Sequence, residues 1–322
     1  ANNASATIGG EIAVDYQNNL LLAVGAVGSF EAENDWFGTY DVDQITGDLT
    51  PQDLYSPGRG EAQPEFNRVE AGRSASFAYI LDGGGTTASS VVRVYGYSAD
   101  GTINTSEVDS QTVGQGAEEL ALHPAGQYLY SVNSFGDTIN WLRINESSGT
   151  VASIGTTTPG GNGSGEGRPL DMAFHPNGRY AYVSLQDDDE VVTYTVDDDG
   201  SLDSRNAASA GTEVGPGPIA VHPRGNFVYV GHRNSNEIGV YAVQSDFSLQ
   251  LQSSIAASST PDWIEMDPNG AFILVRYHDE SIETFSIDVA TSNLSTDGSL
   301  VTPNGGAGFI SSITLVSPLS VE

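Results

Sequence analysis

Six residues of this chain have side chains suited to acid–base chemistry and fall near equivalent points of a sequence repeat: Glu118, Glu119, Asp171, His232, Arg276 and His278. Carboxylates and imidazoles can take or give a proton near neutral pH, and a guanidinium can hold a developing oxyanion or a carboxylate. A second set, Glu65, Arg168, Asp262 and Trp263, suits ligand binding. Arg168 could clamp a carboxylate, and Asp262 beside Trp263 could hold a cation. The same carboxylates could instead hold Ca²⁺, which takes about six to eight oxygens; no other cofactor is indicated. The runs Asp187-Asp188-Asp189-Glu190 and Asp197-Asp198-Asp199 share only composition with calcium loops, because the alternating Asp spacing and the closing Glu are missing. There is no Gly-x-Ser-x-Gly elbow, no Cys and no His-Glu-x-x-His. Any catalysis must therefore come from separate His, Glu and Arg side chains gathered around a pocket.

What gathers them is a repeat. Arg168 to Val183 reads as an apolar strand, a Pro-Asn-Gly turn and a strand in which large residues alternate with small ones. Val191 to Val196 adds a third strand rich in β-branched and aromatic residues. Asp197 to Leu202 turns into a fourth. The unit recurs with its pre-proline residue at His123, His175, His222 and Asp267, which are 52, 47 and 45 residues apart. Weaker copies begin near Glu11 and Phe66. A repeat of about 40–50 residues with four strands predicts a β-propeller, an all-β ring of four-stranded antiparallel blades. Six blades are counted, over residues 11–56, 60–114, 116–155, 168–211, 215–257 and 260–303, within one domain spanning 1–322. Residues 310–318 resemble one further first strand. With residues 1–10 they are expected to close the ring in a composite blade, or to pair with a neighbouring molecule, and seven blades stay open as an alternative. The recurrent histidines His123, His175 and His222 are expected to bond within their own blades. His232 and His278 follow second strands and are placed in loops at a channel mouth.

The chain has 322 residues, 11 basic and 42 acidic, for a net charge of −31. All eleven basic residues are Arg. Such a balance excludes a nucleic-acid face, which needs clustered basic residues. It suits high salt, where charges are screened within about 3 Å at 1 M. No apolar run approaches the roughly 20 residues of a membrane span. The chain starts at Ala1, which fits removal of a signal peptide. Five Asn-x-Ser/Thr sequons stand at Asn3, Asn104, Asn145, Asn162 and Asn293. An extracellular or cell-surface glycoprotein is the expectation.

The pattern His-Pro-x-Gly-x-Tyr-x-Tyr-Val, then Val-x-x-Tyr-x-Val-Asp, then Asp-Gly-x-Leu resembles the lactonase-type β-propeller family. That family includes bacterial propeller 6-phosphogluconolactonases and fungal carboxymuconate lactonizing enzymes. The resemblance covers residues 60–318 and implies a propeller, usually of seven blades, with His and Arg where first strands meet the channel. Gly217 and Pro218 stand here in place of that Arg and His, Arg168-Pro169-Leu170-Asp171 replaces a His-Pro-His type run, and Ser134 follows Asn133 where an acid is common. These departures point to a non-catalytic propeller that binds a small molecule or carbohydrate, or builds a surface assembly. The alternative is a hydrolase of sugar or aromatic lactones.

Overall fold

The computed structural model describes residues 11–26, 35–43, 46–56, 66–83, 88–159, 167–209, 214–288 and 290–301. Blade four illustrates how the repeat becomes a sheet. Its strands Pro169–Phe174, Tyr180–Leu185, Glu190–Val196 and Leu202–Ser209 pair antiparallel in sequence order. Successive strand residues point to opposite faces. Ala181, Val183 and Leu185 therefore join the core shared with blade three, while Tyr182 joins the core shared with blade five. That division explains the alternation of sizes in the repeat: each face must fit a different neighbour.

Six such sheets form among the described residues, as the repeat predicts, and they build an all-β propeller. The sixth sheet has a fifth strand, because Ile282–Ile287 pairs with both Leu294–Ser295 and Leu300–Val301. The inner strands are Ile12–Asp15, Phe66–Ala71, Ala117–Leu122, Pro169–Phe174, Pro216–Val221 and Pro261–Met266. Successive ones pack side by side from blade one to blade six. The apolar cores lie between blades, filled by fully buried rings such as Tyr130, Tyr182, Tyr229 and Phe285. Residues 1–10 and 310–318, with the ring closure and strand exchange expected of them, lie outside the described residues.

The recurrent histidines differ from expectation. Each imidazole Nδ1 does accept a backbone N–H of its own turn, from Ala125, Asn177 and Arg224. The Nε2 side, however, reaches into the next blade. His123 Nε2 donates to the carbonyl oxygen of Gly178 at 2.7 Å, and His175 Nε2 to that of Gly225 at 3.0 Å. His222 bonds the backbone of Gly270 in the same way. The histidines therefore latch neighbouring blades. The Gly of each His-Pro-x-Gly turn has a second duty, since it receives the preceding blade's His. At Gly225, φ is 73° and an added Cβ would stand 2.2 Å from His175 Nε2. We expect Gly225→Ala to destabilise the fold by about 2–3 kcal/mol, from the left-handed backbone and the lost hydrogen bond. In a His175→Ala background the same change should cost less, by chemical denaturation. Equal costs in the two backgrounds would refute the latch.

Candidate active site at the channel mouth

Counting back four residues from the turn position of each blade gives Glu11, Arg68, Glu119, Asp171, Pro218 and Trp263. The inner strands and their entries carry these positions around the channel, so one register in the repeat brings four ionisable groups, Glu11, Arg68, Glu119 and Asp171, together with Pro218 and Trp263. Arg68, Glu119, Asp171, Pro218 and Trp263 line a cavity of about 170 Å³, joined by Glu118, Leu170, Gly217 and Asp262 from the preceding positions. Arg233 and Arg276, from the ends of the second strands of blades five and six, complete it.

The polar contacts within the ring are dense. Arg68 Nε donates to Glu119 Oε2 at 3.1 Å, and its guanidinium carbon lies 5.3 Å from the Trp263 ring centroid. Leu120 N–H donates to Glu119 Oε1 at 3.0 Å. Asp171 receives Met172 N–H, and also Ile219 N–H of the next blade at 2.7 Å. Glu11 receives Val69 N–H of its next blade in the same manner. Asp262 pairs with Arg233 at 2.7 Å, and His278 Nδ1 donates to its other oxygen at 3.0 Å. The His278 side chain is 75 % exposed, which leaves its Nε2 open to water. Arg276 Nε is buried without a hydrogen-bond partner.

Burial dominates the electrostatics. It pushes Glu119 up to about 8 against the pull of Arg68, and Glu70, two residues beyond Arg68 on the same strand, up to about 7. Asp171 and Glu11 are also raised by burial, Glu11 further by the nearby Glu119. For Arg68, burial works against the charge, but Glu119, Glu11 and Glu118 outweigh it and hold the guanidinium above its ordinary value. Arg276 is lowered by burial, with Arg68 and Arg233 adding to the effect and Asp262 opposing it. The four raised carboxyls bind more protons in the folded chain than in the unfolded one, so stability must fall as pH rises from the ordinary carboxylate range through about 8. We expect a higher melting temperature at pH 5.5 than at pH 8.5, both at about 1 M NaCl to hold screening fixed. A flat or opposite trend would contradict the burial of these carboxyls.

Of the residues singled out in the sequence, Glu118, Glu119, Asp171, Asp262, Trp263 and Arg276 meet at this cavity, and His278 stands on its rim. His232 does not: it ends the second strand of blade five fully buried, with Nε2 3.0 Å from the Tyr241 hydroxyl, and burial lowers it to about 4. Arg168 is also elsewhere, its N–H on Asp137 and its guanidinium over Phe135. Glu65 lies outside the described residues, and the blade-two residue at the ring position is Arg68. Arg68 and Arg233 escaped the sequence reading. The blade-two repeat has Gly72 where others have His, which hides its register. Among the described residues no three His, Asp or Glu side chains are grouped as metal ligands. Glu119, Asp171 and Asp262 make their contacts to arginines, His278 and backbone N–H groups. The sequon residues Asn104, Asn145 and Asn293 are exposed, whereas Asn3 and Asn162 lie outside the described residues. No helix among the described residues is long and apolar enough to cross a membrane.

Comparison with known proteins agrees with the fold. The family model described as "Lactonase, 7-bladed beta-propeller" matches residues 33–211 and 169–307. A 6-phosphogluconolactonase of Pectobacterium carotovorum is 26 % identical over 113 residues, a match spanning 34 % of this chain and 34 % of that protein. Among solved structures, the periplasmic gluconolactonase PpgL of Pseudomonas aeruginosa superposes with a TM-score of 0.74 at 18 % identity, covering 91 % of this chain and 85 % of its own. A protein from Lactobacillus plantarum superposes with a TM-score of 0.73 at 17 % identity, covering 88 % and 82 %. At these identities the superpositions establish the fold. The family is described as seven-bladed, and the described residues of this chain supply six of those sheets. With a family match that runs from residue 33 to residue 307 on a propeller of four-stranded blades, the chain belongs to the lactonase β-propeller family.

Proposed function

We propose that the chain hydrolyses a lactone at the arginine- and carboxylate-lined channel mouth. The observation that carries this reading is the convergence of Arg68, Arg233 and Arg276 with Glu119, Asp171 and Asp262 on one small cavity. The family match and the lactonase relatives support it over the non-catalytic binding or assembly role. Exposed sequons are compatible with action outside the cytoplasm.

Lactone opening needs a base for water, a cation for the tetrahedral oxyanion and an acid for the leaving ring oxygen. His278, oriented by Asp262, takes a proton from water through Nε2 as the water oxygen adds to the carbonyl carbon. The carbonyl electron pair moves to oxygen, where Arg276 holds the negative charge, with Arg233 beside it. Collapse restores the C=O bond and breaks the bond to the ring oxygen, which takes the proton that burial keeps on Glu119. Proton return through water from His278 to Glu119 resets both groups, and the product is a hydroxy acid. Neighbouring groups with opposite tasks are the general pattern of such sites.

The test is a pH-stat screen of sugar and aromatic lactones against the spontaneous rate in high salt. Turnover that Arg276→Ala abolishes supports the proposal. No turnover of any lactone by the folded chain refutes it.

A further inference from the structure

A second cavity of about 360 Å³, roughly twice the volume of the mouth, shares Trp263 with it. Its wall comes from the inner strands of blades one, two and six, from the turns that follow the first two, and from Leu122 of blade three. We propose that this chamber is a separate binding site for a small organic ammonium ion.

Its chemistry selects that class. Four carboxylates, Glu11, Asp15, Glu70 and Glu265, share the wall with one guanidinium, Arg73, and with the rings of Tyr16 and Trp263. Asp15 is occupied in holding its own turn and the Tyr97 hydroxyl. Glu11, only 8 % exposed, commits one oxygen to Val69 N–H. Glu70 commits one oxygen to Leu122 N–H. Each of these two therefore retains an oxygen for whatever enters the cavity. Trp263 already carries one cation on its ring, the Arg68 guanidinium, so an indole in this wall is compatible with a cationic neighbour. Ligand cavities of this volume are typical for small molecules, and low-dielectric walls of one sign concentrate ions of the other.

Binding should be coupled to protons. Glu70 and Glu11 are raised by burial, Glu11 also by Glu119 and Glu70, while Arg68 lowers Glu11 and Arg73 lowers Glu70. Tyr16 is raised by burial and further by Glu265, with Arg73 opposing. An ammonium ion between Glu11 and Glu70 favours their charged forms and releases protons. Its affinity should therefore rise between pH 6 and pH 8.

The experiment is titration calorimetry of the full chain with putrescine in about 0.5 M NaCl, which screens surface charge beyond roughly 4–5 Å. One saturable site is expected, with proton release that scales with buffer ionisation enthalpy. Glu70→Gln, which keeps an acceptor for Leu122 N–H, should weaken it about tenfold, the equivalent of one charged contact. Tyr16→Ala, at an exposed turn residue, should weaken it about two- to fivefold. The proposal is overturned if putrescine shows no saturable site, if neither variant changes the affinity, or if glucose binds this chamber and putrescine does not. Lactone turnover is read separately, so its absence would leave this result standing.

Discussion

Glu119→Gln is expected to lower kcat/KM for lactone hydrolysis by about 10²- to 10³-fold, within the range for removal of a positioned proton donor. The substitution keeps the size of the side chain, and its one carbonyl oxygen can still accept from Leu120 N–H, while the amide nitrogen replaces the oxygen that Arg68 Nε reaches, so a melting curve of the variant accompanies the kinetics. What it removes is the proton that burial holds on the carboxyl up to about pH 8. The pH profile separates this role from a structural one. Wild-type kcat/KM should fall above about pH 8 as Glu119 ionises, and the residual activity of the variant should lack that limb. A variant with wild-type kcat/KM, or with an unchanged alkaline limb, would remove Glu119 from the reaction. Substrates with good leaving groups need less protonation of the ring oxygen and should suffer less from the change.

The largest effect on stability is expected at the blade interfaces. Tyr229 is fully buried between blades five and six, and its hydroxyl donates to Ser292 O at 3.2 Å. Tyr229→Ala should cost about 3–5 kcal/mol, combining lost apolar burial, a cavity and an orphaned carbonyl. Leu54→Ser, at a side chain 63 % exposed on an outer strand, should stay within about 0.5 kcal/mol. Denaturant midpoints in high salt measure both. Similar shifts for the two would mean that the interblade face is not where the stability resides.

The fold was legible because its device is local and repeated. His-Pro-x-Gly with a following large–small alternation marks a turn and a two-faced strand, and both are dictated by neighbours of fixed geometry. The partner of the anchor histidines was not legible, since Gly178 and Gly225 lie 55 and 50 residues onward and only the ring brings them near. In blade six Asp267 replaces His and receives Ala271 N–H of its own turn.

The site was half legible for the same reason. Asp171, Asp262 and Trp263 stand at recognisable distances from clear anchors, and Glu118 and Glu119 do likewise. Arg68 precedes a blade-two turn that has Gly72 in place of His, so the sequence does not mark its register. Arg233 and Arg276 come from second strands, whose ends reach the channel through the pairing of Pro216 with His232 and of Trp263 with Arg276. His232 was misassigned because one residue decides the face of a strand. It points into the blade and Arg233 points to the cavity. Glu11 and Glu70 gave no signal at all, because a carboxylate bonded to the next blade's backbone looks in sequence like any surface acid.

The most direct measurement is a crystal structure of the chain soaked with a lactam, the slowly hydrolysed counterpart of the best lactone. Its carbonyl oxygen should lie against the Arg276 guanidinium, with the ring nitrogen toward Glu119, inside the cavity bounded by Arg68, Asp171 and Trp263. A lactam bound instead in the wide chamber or on an outer strand, while the soaked enzyme is competitively inhibited, would contradict the placement of the reaction at this mouth.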